Sequence, residues 1–236
     1  MIAAGHTGDM TSVSPIARAA SHLLDLALPA TCVGCGREGE PICSGCLPAL
    51  RVRNDHPPGI SVGVPADLPA PLIQLEWCAP FTGIVRRAIL ELKYAGERRL
   101  AEPLGRAVAE RWRRSGAAGE LLVPVPVHRD RERERGFDQA WLIADAAARS
   151  LGMPAARALV RRRATTRQYD LGRAQRAANI AASFALDPSA ERLVRDRWIV
   201  LVDDVVTTGS TLAECAATLL AAGALAVSAV TAARER

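Results

Sequence analysis

The sequence predicts an α/β protein: a mostly parallel sheet flanked by helices, preceded by a small module that contains four cysteines. Beyond residue 75, short runs of Val, Ile and Leu alternate with longer segments whose apolar residues recur at helical spacing. Such alternation is typical of βαβ units. The short runs are apolar throughout, as strands are when helices cover both faces of their sheet. The four cysteines lie within residues 32–46, in paired spacing that favours a metal-bound module over a disulfide framework.

Three parts are predicted along the chain. An amphipathic helix over Ile16–Leu28 leads into the cysteines, and together they form an N-terminal part over residues 1–50. Residues 51–74 hold five prolines and two glycines without periodicity, which predicts an irregular connector. The α/β domain then covers residues 75–236. Its predicted elements are helices over Ile84–Lys93, Leu100–Arg114, Gln139–Leu151 and Thr211–Ala222, and strands over Glu120–Val127, Trp198–Val202 and Ala226–Thr231.

The uncharged stretch Cys215–Ala233 is nearly long enough to span a bilayer. It is rich in Ala rather than Leu, and Gly223 divides it into a helix-like half and a strand-like half. A final helix and strand of the α/β domain therefore fit it better than a membrane span. The first residues, Met1–Thr11, lack the basic start and apolar core of a secretory signal. A cytoplasmic protein without a membrane span is expected.

The formal net charge of +5 comes from 30 basic and 25 acidic residues. Residues 128–176 hold 12 basic and 6 acidic residues, so the positive excess lies in this stretch. Such a stretch suits phosphate or nucleic acid as a partner, or forms a solvated arginine-rich face. Lys93 is the only lysine, and it lies between Leu92 and Tyr94. Because a P-loop needs Gly-Lys-Ser/Thr, the sequence excludes a Walker-type NTPase.

Two Cys-x-x-Cys pairs, Cys32 with Cys35 and Cys43 with Cys46, are separated by seven residues. Each pair presents two thiolates from one glycine-bearing turn, and four sulfur ligands match tetrahedral structural zinc with no open position for catalysis. A redox pair and an iron–sulfur site are alternatives, but neither needs two such turns this close together. We expect bound zinc to supply much of the folding energy of so short a segment.

The run Ile199–Thr211 carries the clearest chemical signal. An apolar strand delivers two carboxylates, Asp203 and Asp204, to its carboxyl end, where parallel sheets bind their ligands. The following loop can wrap a phosphate with its N–H groups and hydroxyls at a helix N-terminus, while the carboxylates accept hydrogen bonds from a ribose diol. A 5-phosphoribosyl group is thereby predicted. The predicted binding residues after the acid pair are Val205, Val206, Thr207, Thr208, Gly209, Ser210 and Thr211. A Walker B strand is excluded by the missing P-loop, and an ordinary strand–turn–helix with a hydroxyl cap remains the alternative.

A second anion site is predicted in the turn after Val127, where Arg129, Arg133 and Arg135 follow closely. Arginines beside backbone N–H groups suit a pyrophosphate. The alternative is an ordinary Pro-rich turn on a charged surface. The Arg-rich segment that begins at Arg161 and continues to Asn179 is predicted either to close over the ligand as a lid or to follow a nucleic-acid backbone.

The run Asp203–Thr211 resembles the phosphoribosyl pyrophosphate (PRPP) signature of type I phosphoribosyltransferases. The order of helix, four-cysteine module, connector and this domain is similar to that of the ComF family of competence-related proteins. Further runs that resemble the family's motifs are Leu92-Lys93-Tyr94-Ala95-Gly96, Pro124-Val125-Pro126-Val127-His128-Arg129, Arg135-Gly136-Phe137-Asp138-Gln139-Ala140, and the spaced Thr165, Gln168, Leu171, Arg176 and Asn179. One departure is Asp138, which stands where the family usually has Asn.

The resemblance implies that Asp203 and Asp204 hold the ribose hydroxyls and that the loop holds the 5′-phosphate. It also implies Mg²⁺-assisted displacement of pyrophosphate from PRPP by a nitrogen nucleophile of unknown identity. The cellular role it implies is the handling of incoming DNA during natural transformation. An alternative is a non-catalytic PRPP sensor or single-stranded-DNA-binding factor, in which the zinc module and residues 128–176 contact DNA or competence proteins.

Overall fold

The computed structural model describes residues 29–58, 68–162 and 183–235. The predicted N-terminal helix over Ile16–Leu28 and most of the predicted lid, residues 163–179, lie outside these ranges. Among the described residues, every helix is too short or too polar to cross a bilayer.

The main sheet has four parallel strands, as the sequence predicts. In chain order they are β3 (Leu75–Pro80), β4 (Leu121–Pro124), β7 (Trp198–Val206) and β8 (Ala226–Arg234). Their order across the sheet is β3-β8-β7-β4. The smaller strands form two antiparallel pairs, β1 (Ala30–Thr31) with β2 (Glu38–Gly39), and β5 (Leu159–Arg161) with β6 (Phe184–Leu186).

Helices cover both faces of this sheet. They are α1 (Gly83–Leu90), α2 (Ala101–Ser115), α3 (Arg129–Arg135), α4 (Gln139–Leu151), α5 (Glu191–Val194) and α6 (Ser210–Ala221). Short 3₁₀ helices occupy Leu47–Asp55, Arg98–Leu100 and Pro188–Ala190, and a π-helical turn, Glu91–Ala95, follows α1. The α/β class with an N-terminal cysteine cluster is therefore confirmed.

Side chains of β4 and β7 alternate between the two faces because successive strand residues point in opposite directions. Leu122 and Val200 face the core shared with α2 and α4, whereas Leu121 and Ile199 face the core shared with α6. Burial on both faces explains why these strands are apolar throughout rather than alternating.

Several predicted bounds differ from the observed ones. The strand predicted to end at Val202 continues to Val206, because β8 continues to Arg234 and pairs with it, Asp203 lying opposite Thr231. The strand predicted over Glu120–Val127 ends at Pro124. The pair β5–β6 was not predicted, since three-residue strands are too short to show a period.

A buried ion cluster joins the 3₁₀ helix Leu47–Asp55 to the sheet. Arg111 of α2 donates to Glu76 Oε2 of β3 through Nε at 2.8 Å and Nη2 at 2.5 Å, and both side chains are fully buried. Arg111 Nη1 also donates to the carbonyl oxygens of Arg53 and His56, at 2.6 and 2.9 Å. The 3₁₀ helix crosses the predicted boundary at residue 50, so this cluster holds the cysteine segment against the α/β domain.

Candidate functional site

The four predicted cysteine ligands come together. The Sγ atoms of Cys32, Cys35, Cys43 and Cys46 all lie within 4.8 Å of one another. Although burial raises the pKa of Cys32, backbone hydrogen bonds, first that from Cys43, lower it to about 6. Burial and hydrogen bonds from the neighbouring thiols raise the pKa of Cys46 to about 12. The donor set therefore fits a thiolate-binding metal such as zinc, which displaces the proton that Cys46 otherwise keeps.

Loss of one cysteine ligand is expected to remove the metal. We expect wild-type protein purified without chelator to carry about one zinc per chain, and Cys43→Ser to lose most of it, since four thiolates make one closed site. Zinc content by mass spectrometry checks this, and Cys215→Ala, a buried thiol outside the cluster, is the matched control. Wild-type protein without stoichiometric zinc would contradict the assignment.

The acid pair, Asp203 and Asp204, lies near the carboxyl end of β7. The Asp204 N–H donates to Asp203 Oδ1 at 2.8 Å, and the Val205 N–H donates to Asp204 Oδ1 at 3.0 Å. Asp204 is buried, and its Oδ2 forms an ion pair with Lys93 Nζ. Burial and the adjacent Asp204 carboxylate raise the pKa of Asp203 well above its ordinary value. These two side chains are thus held in place by the backbone that follows them.

The hydroxyl-rich loop directly follows the acid pair and leads into α6. Thr207, Thr208 and Ser210 are exposed, and Thr208 Oγ1 lies 3.1 Å from Ser210 Oγ. The Ser210 N–H points to Thr208 Oγ1 at 3.4 Å. Because the first N–H groups of a helix lack partners within it, this loop combines hydroxyl donors with a helix N-terminus. Of the predicted phosphate-binding residues, Thr207, Thr208 and Ser210 are exposed beyond the end of β7, whereas Val205 and Val206 belong to the strand and Thr211 lies in the first turn of α6.

Gly209 allows this loop to turn. Its φ is +81°, and a Cβ at this position would lie 2.5 Å from Pro69 Cγ. Gly209→Ala is therefore expected to lower the free energy of unfolding by more than the roughly 1–2 kcal/mol that a left-handed conformation costs an L-residue. Urea unfolding checks this against Gly116→Ala, where φ is +64° but no atom lies within 4 Å. Equal losses in the two variants would contradict a role for the Pro69 contact.

The two arginines predicted to bind pyrophosphate are on the same short helix, α3, but border different cavities. Arg129 lines a cavity of about 240 Å³ together with Arg157 and Arg161. Arg135 lines a cavity of about 530 Å³ together with Lys93. Arg135 is also engaged, since its guanidinium lies 5.0 Å from the Tyr94 ring centroid and Nη1 donates to a neighbouring glutamine.

Sequence patterns indicated only part of this basic surface. Arg157 belongs to no predicted motif, and Arg161 was predicted only as the start of the Arg-rich segment. The fold brings both to Arg129 because β4 and the segment at residue 155 run side by side. Lys93 was distinguished by being the single lysine beside 29 arginines and by its place in the Leu92–Gly96 run that resembles a family motif. Its contact with Asp204 depends on the path of the chain after α1, which no local pattern indicates.

Several known proteins are similar to this chain in sequence. The family model described as phosphoribosyl transferase domain matches residues 138–236. The DNA utilization protein YhgH of Escherichia coli strain K12 is 34% identical over 199 residues, covering 82% of this chain and 80% of that protein. Competence protein F of Haemophilus influenzae is 29% identical over 195 residues, covering 81% and 84%. This chain belongs to the ComF family. Competence protein ComFC of Bacillus subtilis is 36% identical over 103 residues, covering 44% of this chain and 39% of that protein.

Asp138 is the position where this ComF-family protein departs from the usual Asn. Its carboxylate caps α4, with Oδ1 accepting a hydrogen bond from the Trp141 N–H at 3.1 Å. Arg133, which the motif places nearby, instead pairs with Asp130. Burial raises the pKa of Asp138, against the hydrogen bond from Trp141. Asp138 therefore performs the helix-capping role that Asn also fills well.

The raised pKa of Asp138 makes a prediction about pH. Because the pKa of Asp138 is higher in the folded than in the unfolded protein, the folded state loses stability as the pH rises from the unfolded-state pKa to the folded-state pKa. Asp138→Asn keeps the cap without that loss, so we expect it to be more stable than wild type at pH 7, with the difference shrinking toward pH 4. Asp138→Ala, which lacks the cap, should lose about 0.5–2 kcal/mol instead. Urea unfolding across this range checks both, and a pH-independent gap between Asp138→Asn and wild type would contradict the argument.

Proposed function

We propose that this ComF-family protein binds PRPP at the carboxyl end of β7 and acts in the uptake and use of DNA. The observation that carries the binding proposal is the direct succession of the acid pair and the exposed hydroxyl loop at one sheet edge. Carboxylate acceptors suit a ribose diol, and hydroxyl and N–H donors suit its 5′-phosphate. The cellular role is supported by relatives named for competence and DNA utilization. We also propose that the protein acts in the cytoplasm and that residues 1–50, 51–74 and 75–236 form its cysteine-containing part, its connector and its α/β domain.

In this proposal each group has one task. Asp203 and Asp204 accept hydrogen bonds from the ribose hydroxyls, and residues 205–211, which join the end of β7 to the start of α6, bind the 5′-phosphate. The pyrophosphate is held by the turn after Val127 with Arg129 or Arg135, which border different cavities. The donor set of two neighbouring carboxylates fits Mg²⁺, which prefers oxygen ligands and neutralises a leaving pyrophosphate when it is bound.

The reaction such a site supports is pentosyl transfer. A nitrogen nucleophile forms a bond to C1 of the ribose and gives up its proton to water, and the bond from C1 to the pyrophosphate oxygen breaks, so that pyrophosphate leaves with the electron pair. The residues of the chain position the ribose and both anions, which is how binding energy lowers such a barrier.

Calorimetry with PRPP and Mg²⁺ tests the binding proposal. We expect saturable binding of PRPP, and weaker binding of ribose 5-phosphate and of pyrophosphate, because each occupies only part of the site. The absence of heat with PRPP would refute the proposal. A single-stranded oligonucleotide is titrated in parallel at several salt concentrations, because phosphate contacts weaken as salt rises. Salt-dependent oligonucleotide binding without PRPP binding would favour the DNA-binding alternative.

A further inference from the structure

Lys93 is a charged residue beside the acid pair to which the proposed function assigns no task. It lies in the π-helical turn Glu91–Ala95, and its Nζ forms an ion pair with Asp204 Oδ2. The side chains of Lys93 and Asp204 are only 18% and 6% exposed. The pair is thus much less screened by solvent than a surface salt bridge.

Both oxygens of the Asp204 carboxylate are engaged in this arrangement. Oδ1 accepts the Val205 N–H, and Oδ2 meets the Lys93 ammonium. A carboxylate oxygen can accept more than one contact, but Asp204 Oδ2 is buried beside Lys93, so a ribose hydroxyl or a cation that binds it competes with Lys93 for the same space. The Val205 contact belongs to the backbone and stays, so the exchange concerns a single oxygen.

Lys93 borders a cavity of about 530 Å³ into which its side chain can move. The same cavity is lined by a second carboxylate, Glu134, and by two further cations, Arg131 and Arg135. Lysine carries its charge on a flexible four-carbon stem, and its ammonium can turn from one oxygen to another with little steric demand. A guanidinium is planar and bulkier, which distinguishes this position from the chain's 29 arginines.

We propose that Lys93 is a built-in counter-ion that occupies the acid pair in the ligand-free protein and competes there with a divalent cation. A metal ion alone then binds the pair weakly, and loading of the site depends on a ligand that brings its own cation and hydroxyls. That this ligand is PRPP rests on the proposed function. The competition between Lys93 and a cation for the acid pair does not depend on which ligand binds.

Manganese, used alone as a paramagnetic probe, tests the competition. By electron paramagnetic resonance without PRPP, we expect Lys93→Met to bind one Mn²⁺ at least about tenfold more tightly than wild type, because a contacting positive charge is gone. Lys93→Arg, which keeps the charge on a bulkier group, should bind Mn²⁺ no more tightly than wild type, and adding Asp204→Asn to Lys93→Met should abolish the gain. Arg106→Met, which removes an exposed cation paired with Glu102, is the control. Equal Mn²⁺ affinity of wild type and Lys93→Met would overturn the proposal.

A second measurement needs no substitution of Lys93. Reductive ¹³C-methylation labels this single lysine and the terminal amine, and dimethyllysine keeps its positive charge. We expect the NMR chemical shift of the Lys93 methyl groups to change on adding Mg²⁺ and to differ between wild type and Asp204→Asn. A Lys93 signal identical in wild type and Asp204→Asn would overturn the ion pair. Because neither measurement uses PRPP, a failed PRPP titration beside a responsive Lys93 would refute the proposed function and leave this inference standing.

Discussion

The double substitution Asp203→Asn with Asp204→Asn is expected to lower PRPP affinity at least about 100-fold. Each hydrogen bond to a charged group contributes about 1.5–3 kcal/mol, so the loss of two such bonds lowers the affinity by more than about a hundredfold. The amides keep the size of the side chains, but they replace acceptor oxygens by N–H donors that point at ribose hydroxyls or cations. Calorimetry with PRPP and Mg²⁺ measures the loss.

The control for this double substitution is Asp145→Asn, an exposed carboxyl on α4 that pairs with Arg149. We expect it to leave PRPP affinity within about twofold of wild type, since exposed pairs away from a site contribute little. Thermal unfolding establishes that the double variant is folded. Wild-type PRPP affinity in a folded double variant would remove the acid pair from the binding site.

Glu76→Gln is expected to lower the free energy of unfolding by about 3–5 kcal/mol, because removing one partner of a buried ion pair leaves the other charge buried without compensation. Glu76 is fully buried and faces Arg111 through two donated hydrogen bonds, and the buried Arg53 lies 3.7 Å away. Glutamine fits the same space, so the loss reports the charge rather than a cavity. Urea unfolding of the zinc-loaded protein measures it.

The matched control is Glu191→Gln, which breaks the exposed pair between Glu191 and Arg195 on one helical turn. Such pairs contribute about 0.3–0.5 kcal/mol, so we expect a loss in that range. A loss at Glu76 no larger than that at Glu191 would show that the ion cluster does not hold the cysteine segment to the sheet.

Features encoded by neighbouring residues were predictable from the sequence. The apolar runs around Val200 and Val227 predicted buried parallel strands, and the helix over Gln139–Leu151 was predicted with the bounds that the structure shows. The cysteine spacing predicted a cluster that the structure brings within metal-binding distance. These features depend on the periodicity of apolar residues and on the spacing of residues close together in the chain, so a short stretch of sequence is enough to predict them.

Contacts between distant segments were not predictable in this way. The strand β7 continues past Asp203 because β8 lies beside it, and Arg157 joins Arg129 because the chain returns next to β4. The motif around Arg135 predicted a single anion site, whereas α3 divides its arginines between two cavities. Register between segments depends on the packing of the whole sheet, which no short pattern records.

The sequence by itself determined the α/β class, the cysteine cluster and the succession of acid pair, hydroxyl loop and helix, because each follows from residues close together in the chain. Only the tertiary structure decided that Glu76 and Arg111 hold the cysteine segment to the sheet, and that Lys93 meets Asp204. These pairs join residues 35 and 111 positions apart along the chain. A buried charge needs a partner, but the sequence does not state which distant residue supplies it, since that depends on how the helices pack across the sheet.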